Sequence, residues 1–229
     1  MSRRPRLQIA DVPLHVIQRG INRADCFFSR RDGRVYLEEL GEACEANLVS
    51  LHAYCLMTNH VHLLLTPATE EGPSRMMKRL GERYVRYINR TRNRTGTLWE
   101  GRFRSCPVES DAYLLTCSRY IELNPCRAEI VAEPVAYSWS SHRANAHGVA
   151  NPLLKPHSLY LTLGATPAER QNAYRAMFEI PIPPAEIDLI RSQTNGGYAL
   201  GTPSFHDFLQ HRFNRPTDRR PTGRPKAGR

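Results

Sequence analysis

With 229 residues, 41% of them hydrophobic, the chain is long enough to bury one sizeable core, or a compact domain carrying an appendage. It has no 18-residue apolar run, which excludes a membrane-spanning helix, and its opening MSRRPRLQIADVPLHV lacks the apolar stretch and small-residue cleavage site of a signal peptide. A net charge of +10 and a pI of about 9.6 point to a polyanionic partner, without choosing between nucleic acid and acidic lipid.

In chain order, VPLHVIQ (12–18) is β-branched and bounded by Pro13 and Gly20, which predicts a strand. From Asp32 to Leu48 the apolar positions Tyr36, Leu37, Leu40, Cys44 and Leu48 recur at helical spacing. VSLHAYCLM (49–57) and HVHLLLT (60–66) read as two strands joined by Thr58-Asn59, an antiparallel hairpin. Pro73 and Ser74 open a helix to about Arg90, burying Met77, Leu80, Tyr84 and Ile88. Gly96 breaks that pattern, and GRFRSCPV (101–108) supplies a fourth strand. The order strand, helix, strand, strand, helix, strand is that of a ferredoxin-like α+β sheet, which leaves one sheet face free for a ligand or a further helix.

Ser110-Asp111 is the expected cap of the next helix, which ends near Asn124 because Pro125 disfavours helical geometry before it. Residues 145–158 read as a connector. Thr166-Pro167-Ala168-Glu169 is a capping box opening a helix to about Phe178, and short helices are expected after Pro184 and Ser204. The stretch from Arg212 to Arg229 holds seven basic residues and one acid, and is expected to be disordered alone. The expected division is thus 1–145 as the main domain, 146–211 as a small, mainly helical region, and 212–229 as a basic tail. The six cysteines, Cys26, Cys44, Cys55, Cys106, Cys117 and Cys126, form no C-x-x-C pair, so reduced thiols are favoured over disulfides or zinc.

Three clusters carry chemistry. On a strand, His60 and His62 share a face while Val61 points inward, and two neutral imidazoles side by side can chelate a divalent ion. H-x-H alone is more often a decoration of a solvent-facing strand. Tyr120 and Asn124, one helical turn apart, pair a potential covalent nucleophile with a hard oxygen ligand. Alone, that pair reads more simply as part of a half-buried amphipathic stripe. Residues 75–104 hold ten Lys or Arg, among them Lys78, Arg79, Arg83, Arg86, Arg90, Arg102 and Arg104, against only Glu82 and Glu100. Interleaved Tyr84, Tyr87, Trp99 and Phe103 offer stacking faces for unpaired bases, so a nucleic-acid surface is expected there. Arg224, in a Gly-Arg-Pro-Lys run, is a candidate for an arm in a minor groove.

AYCLMTNHVHLLL (53–65), TGTLWEGRFRS (95–105) and SRYIELNPCRAEIV (118–131), with HVIQRGINR (15–23) and YSWSS (137–141), together resemble the single-tyrosine HUH transposases, the insertion-sequence 200-like group, and within it the REP-associated branch. The resemblance covers about residues 10–145. It implies that His60 and His62 are the HUH metal ligands, that Asn124 takes the third ligand place, and that Tyr120 on an added helix is the nucleophile. Tyr113, the rival on that helix, lacks the following Asn-Pro. The implied cofactor is Mg2+ or Mn2+. The implied activity is nicking and joining of single-stranded DNA through a 5′-phosphotyrosine, on hairpin-forming repeats. The implied setting is the bacterial cytoplasm, near the nucleoid, with no membrane partner and possible homodimers. Two other readings compete: a non-catalytic ferredoxin-like module that binds RNA or structured DNA, and a zinc protein using Cys106, Cys117 or Cys126.

Overall fold

The computed structural model describes residues 5–218. Strand β1 (Leu14–Arg19) leads through a tight loop to helix α1 (Arg30–Ala46), followed by strands β2 (Val49–Met57) and β3 (His60–Pro67), helix α2 (Gly72–Thr91) and strand β4 (Arg104–Pro107). The four strands pair antiparallel in the order β2-β3-β1-β4, the split arrangement expected from the sequence. The loop after β1 depends on Gly20, because a Cβ there would lie 2.1 Å from the Ala24 carbonyl oxygen.

Register assigns the two faces. Leu14, Val16, Val61, Leu63 and Leu65 pack with α1 and α2 into one core. That core includes Tyr36, Tyr84 and Trp99, whose rings meet edge-on or stacked at 5.0–6.3 Å. Of the four aromatics expected to stack on bases, Tyr84, Trp99 and Phe103 are therefore buried, and Tyr87 is half-buried with its hydroxyl donating to Asp32. That expectation is corrected: close to two helices and a sheet, burying a large aromatic surface outweighs leaving it for a ligand.

The opposite face carries His15, Ile17 and Arg19 of β1 beside Leu64, His62 and His60 of β3, with Arg104 across from Ile17. Helix α3 (Ser110–Glu122) lies over it through Leu114, Cys117, Tyr120 and Ile121. Ser110 and Asp111 do not cap this helix. The N-cap is Glu109, whose carboxylate instead accepts from the Thr202 backbone at 2.6 Å and its hydroxyl at 2.9 Å. The helix stops at Glu122, and Asn124 opens the separate turn α4 (Asn124–Arg127), because Pro125 has no N–H with which to continue the ladder.

Five further helices follow: α5 (His142–His147), α6 (Ser158–Leu161), α7 (Pro167–Ala176), α8 (Pro184–Gly196) and α9 (Pro203–Phe213). The capping box forms as read, with the Thr166 hydroxyl and the Glu169 carboxylate each accepting from the other's backbone. The boundary expected at residue 145 falls inside α5, a helix too short to show a period in sequence. The tail expected to be disordered from Arg212 begins in α9, and the buried Thr217 takes an N–H from Ala199. Arg224 lies outside the described residues. The segment Tyr137–Ser141 runs along the free edge of β2, bonding through Trp139 and Ser141 to Leu56 and Tyr54, and so blocks that edge from pairing with another chain. Among the described residues no helix is long and apolar enough to cross a membrane. All six cysteines are free, and five are buried.

Candidate active site

Strand alternation brings His60 and His62 to one face as the sequence predicts, with ring centres 5.0 Å apart. The ring of Tyr120 comes down on them from α3, 5.9 Å from His62 and edge-on. The helix is held at that height by Glu122, whose buried carboxylate accepts from Ser141 at 2.6 Å, Asn145 at 2.8 Å and Tyr174 at 3.1 Å, with His142 at 3.3 Å. Tyr113 is half-buried one helical stretch earlier and packs against the apolar cluster under α3.

Three groups in this site were not singled out from the sequence. His15, on β1 between β3 and β4, sets its Nε2 2.8 Å from His62 Nδ1 and its Nδ1 2.9 Å from the hydroxyl of Thr194 on α8. Arg127 on α4 places its guanidinium 4.2 Å over the Tyr120 ring, donates from Nη2 to the Tyr120 carbonyl, and leaves Nη1 buried with no protein partner. Alternation along HVIQR would have put His15 beside Arg19, but only the β1–β3 pairing sets it against His62. Arg127 sits in the quoted SRYIELNPCRAEIV motif, and no local signal distinguishes it from a surface arginine.

Electrostatically the positive charge of the site comes from Arg127 and Arg19, and its histidines are largely removed from solvent. Burial, with the Arg127 charge added, pushes His15 down to about 3, and burial with Arg19 nearby pushes His60 down to about 4. His62 is pushed well below the ordinary range by burial first, then by His15, His60, Arg127 and Arg19. All three rings are therefore uncharged at neutral pH. Burial also lowers Arg127.

The expected basic surface divides. On α2, which lies behind the sheet, Arg83 pairs with Glu39 at 2.5 Å and Glu42 at 2.6 Å, Arg79 approaches Glu42 at 3.6 Å, and Lys78 approaches Glu82 at 3.9 Å. Arg86 and Arg90 are exposed on the same helix. None of these five shares the face of His60 and His62, and the sequence count overstated the excess because it left out the acids of α1. Arg102 and Arg104 are on the β4 side instead. With Arg6, Phe103, Asn195 and Tyr198 they line a cleft of about 410 Å³, and they meet Arg19 at its edge.

Several observations bear on a metal. Among the described residues no three His, Cys, Asp or Glu side chains are grouped to hold one. His60 Nδ1 is engaged by Asn59 at 2.6 Å and His62 Nδ1 by His15, so both Nε2 atoms are left for another ligand. The amide nitrogen of Asn124 is buried without a partner, and an amide's two ends exchange by a simple flip. Two imidazoles and an orphaned carboxamide fit a mixed nitrogen and oxygen set for a hard divalent ion.

The sequence model of the family described as "Transposase IS200 like" matches residues 8–124, just over half the chain and including both histidines and Tyr120. Among curated proteins none matches. Among solved structures, a REP-associated tyrosine transposase bound to a REP hairpin is 16% identical, with a TM-score of 0.55 over 69% of this chain and 93% of that one. At that identity the likeness is one of fold. A Deinococcus radiodurans R1 protein assigned as a transposase is 19% identical over 53% of this chain and 96% of that one, with a TM-score of 0.38 that carries no weight. Sequence match and fold agree: the chain belongs to the IS200-like transposase family.

Proposed function

We propose that this chain is a metal-dependent single-strand DNA endonuclease and strand transferase of the REP-associated branch, acting on hairpin-forming repeats with Tyr120 as nucleophile. The observation that carries the reading is the Tyr120 ring set edge-on against His62, beside His60, with a guanidinium over it whose Nη1 is buried and without a protein partner. A partly buried cation with no carboxylate partner among the described residues is costly, and a scissile phosphate would supply the missing charge. The hairpin as substrate is suggested by the fold relative, which is described as bound to one.

His60, His62 and Asn124 would hold Mg2+ or Mn2+, which supplies Lewis-acid charge relief at a phosphate oxygen. The chain's own residues do the rest. Tyr120 Oη attacks phosphorus in line. The Oη–P bond forms as the P–O3′ bond breaks, the phenol gives up its proton, and the departing 3′ oxygen takes one up. One phosphodiester replaces another, so a second 3′-OH can reverse the step without ATP. Arg127 offsets charge on the phosphate beside the ring, and Arg19, Arg102 and Arg104 line the approach for the strand.

Incubated with Mn2+ and single-stranded hairpin DNA, the native protein should give an adduct that survives denaturing gels and maps to Tyr120. Tyr120→Phe should bind the same DNA and give neither adduct nor cut, while Tyr113→Phe stays active. Cutting by Tyr120→Phe would overturn the reading in favour of activated water. Binding by the native protein with no adduct across a panel of hairpins would favour the non-catalytic module.

A further inference from the structure

His62 has a proton on only one of its two ring nitrogens, and a metal can be taken only by the other. Which one is free is decided not by His62 itself but by a chain of hydrogen bonds that starts on helix α8. On α8 the Thr194 hydroxyl lies 2.7 Å from the Ile190 carbonyl oxygen. A carbonyl can only accept, so the single hydroxyl proton is committed there. Thr194 Oγ1 can then only accept from His15 Nδ1, 2.9 Å away, which places the His15 proton on Nδ1. A His15 ring with its single proton on Nδ1 presents a bare Nε2, and His62 Nδ1 then donates to it across 2.8 Å. The two rings are 17° from parallel with centres 5.1 Å apart, which suits an in-plane N–H···N bond rather than face stacking.

We propose that Thr194 and His15 are positioning residues that lock the His62 proton on Nδ1 and so present Nε2, as a lone pair, to a divalent cation. The inference rests on the metal reading of the site given above. It assigns a task to the C-terminal helices, since Thr194 lies 70 residues beyond the last residue, 124, that the family model matches. A histidine ligand whose outer nitrogen is fixed by a partner binds metal more tightly, and loss of such a partner costs about 10- to 100-fold in affinity. His60 has a shorter and more exposed support: its Nδ1 meets Asn59 Oδ1 at 2.6 Å, and Asn59 Nδ2 donates to the Arg23 carbonyl at 3.1 Å.

The test has two arms on the full-length protein. In metal-free native protein, long-range proton–nitrogen NMR should find His62 and His15 both protonated on Nδ1, opposite to the preference of the free side chain. Mn2+ alone, titrated calorimetrically, should bind Thr194→Val at least about tenfold more weakly than native, while Thr194→Ser, which keeps the hydroxyl, stays within about threefold. A His62 proton on Nε2 in the native protein overturns the inference, as does native-like Mn2+ affinity in folded Thr194→Val. The NMR arm decides alone if Thr194→Val does not fold. Failure of the native protein to bind Mn2+ would instead overturn the metal reading, an outcome separate from either tautomer result.

Discussion

Removing the charge of Arg127 should slow cutting far more than it weakens folding. Arg127→Met keeps an unbranched stem of similar length over the Tyr120 ring and removes the guanidinium that stands 4.2 Å from the ring centre. The phenolic oxygen is further out, so the charge acts on it and on an adjoining phosphate over ~5 Å. At an effective dielectric of about 20 that is about 3 kcal/mol, and partial exposure of the site reduces it to roughly half at the lower end. The expected loss in single-turnover cleavage is therefore about 10- to 150-fold. Stability should change by less than about 1 kcal/mol, because the lost bond to the Tyr120 carbonyl is offset by removal of a partly buried charge whose Nη1 has no partner. The assay is single-turnover cutting of a labelled hairpin oligonucleotide with saturating Mn2+, beside thermal unfolding of both proteins. Cutting by Arg127→Met within about threefold of native would refute the electrostatic role and leave Arg127 as a packing residue.

Arg104→Ala should weaken DNA binding and lower the salt slope by about one unit, whereas Arg83→Ala, on the back of the sheet, should leave the slope unchanged; equal effects on both would return α2 to the DNA path. Breaking the exposed Arg83 pairs should cost no more than about 1 kcal/mol in urea unfolding. The pH dependence of stability follows from His15 and His60, held down to about 3 and about 4 against an ordinary value of 6.5. Below pH 6.5 the unfolded chain binds protons at both positions that the folded chain does not, so these groups lower stability as pH falls toward 4, by about 1.4 kcal/mol per pH unit for each ring. His15→Gln should flatten that acid limb in metal-free buffer, and an unchanged limb would mean that His15 does not stay neutral in the folded protein.

The sheet was legible because its signals are local. Alternation around Val61, the short Thr58-Asn59 turn and the helical spacing of Met77, Leu80, Tyr84 and Ile88 each act within one element, and each appears where the spacing puts it. His60, His62 and Tyr120 were found by residue type and motif, and the fold brings the three rings together. What escaped depends on pairing between distant segments. His15 and Thr194 are 179 positions apart and meet only because α8 packs on β1 and β4, a placement that no periodicity encodes. The basic run on α2 misled for the same reason in reverse. Its arginines were counted along the chain, but Glu39 and Glu42 reach Arg79 and Arg83 across the α1–α2 contact, so part of a local excess of charge became ion pairs.

That contrast bears on how the site is built. The two histidines arrive on one strand of the ferredoxin-like sheet and the tyrosine on the helix added across its open face, so the fold provides their geometry. The proposed chemistry would also draw on groups delivered from elsewhere: a guanidinium from the turn that Pro125 forces after α3, and a hydroxyl from α8. Arg127 and Thr194 both lie beyond residue 124, where the match to the family's sequence model ends. A truncation at the end of that match would keep His60, His62 and Tyr120 and remove the charge beside the nucleophile, the hydroxyl behind His15, and the Ser141, Asn145 and Tyr174 donors that hold Glu122. On the proposed reading the minimal motif would therefore not be the minimal site: the candidate ligands and nucleophile lie within the matched residues 8–124, and the groups that would set their protonation and charge balance lie beyond it.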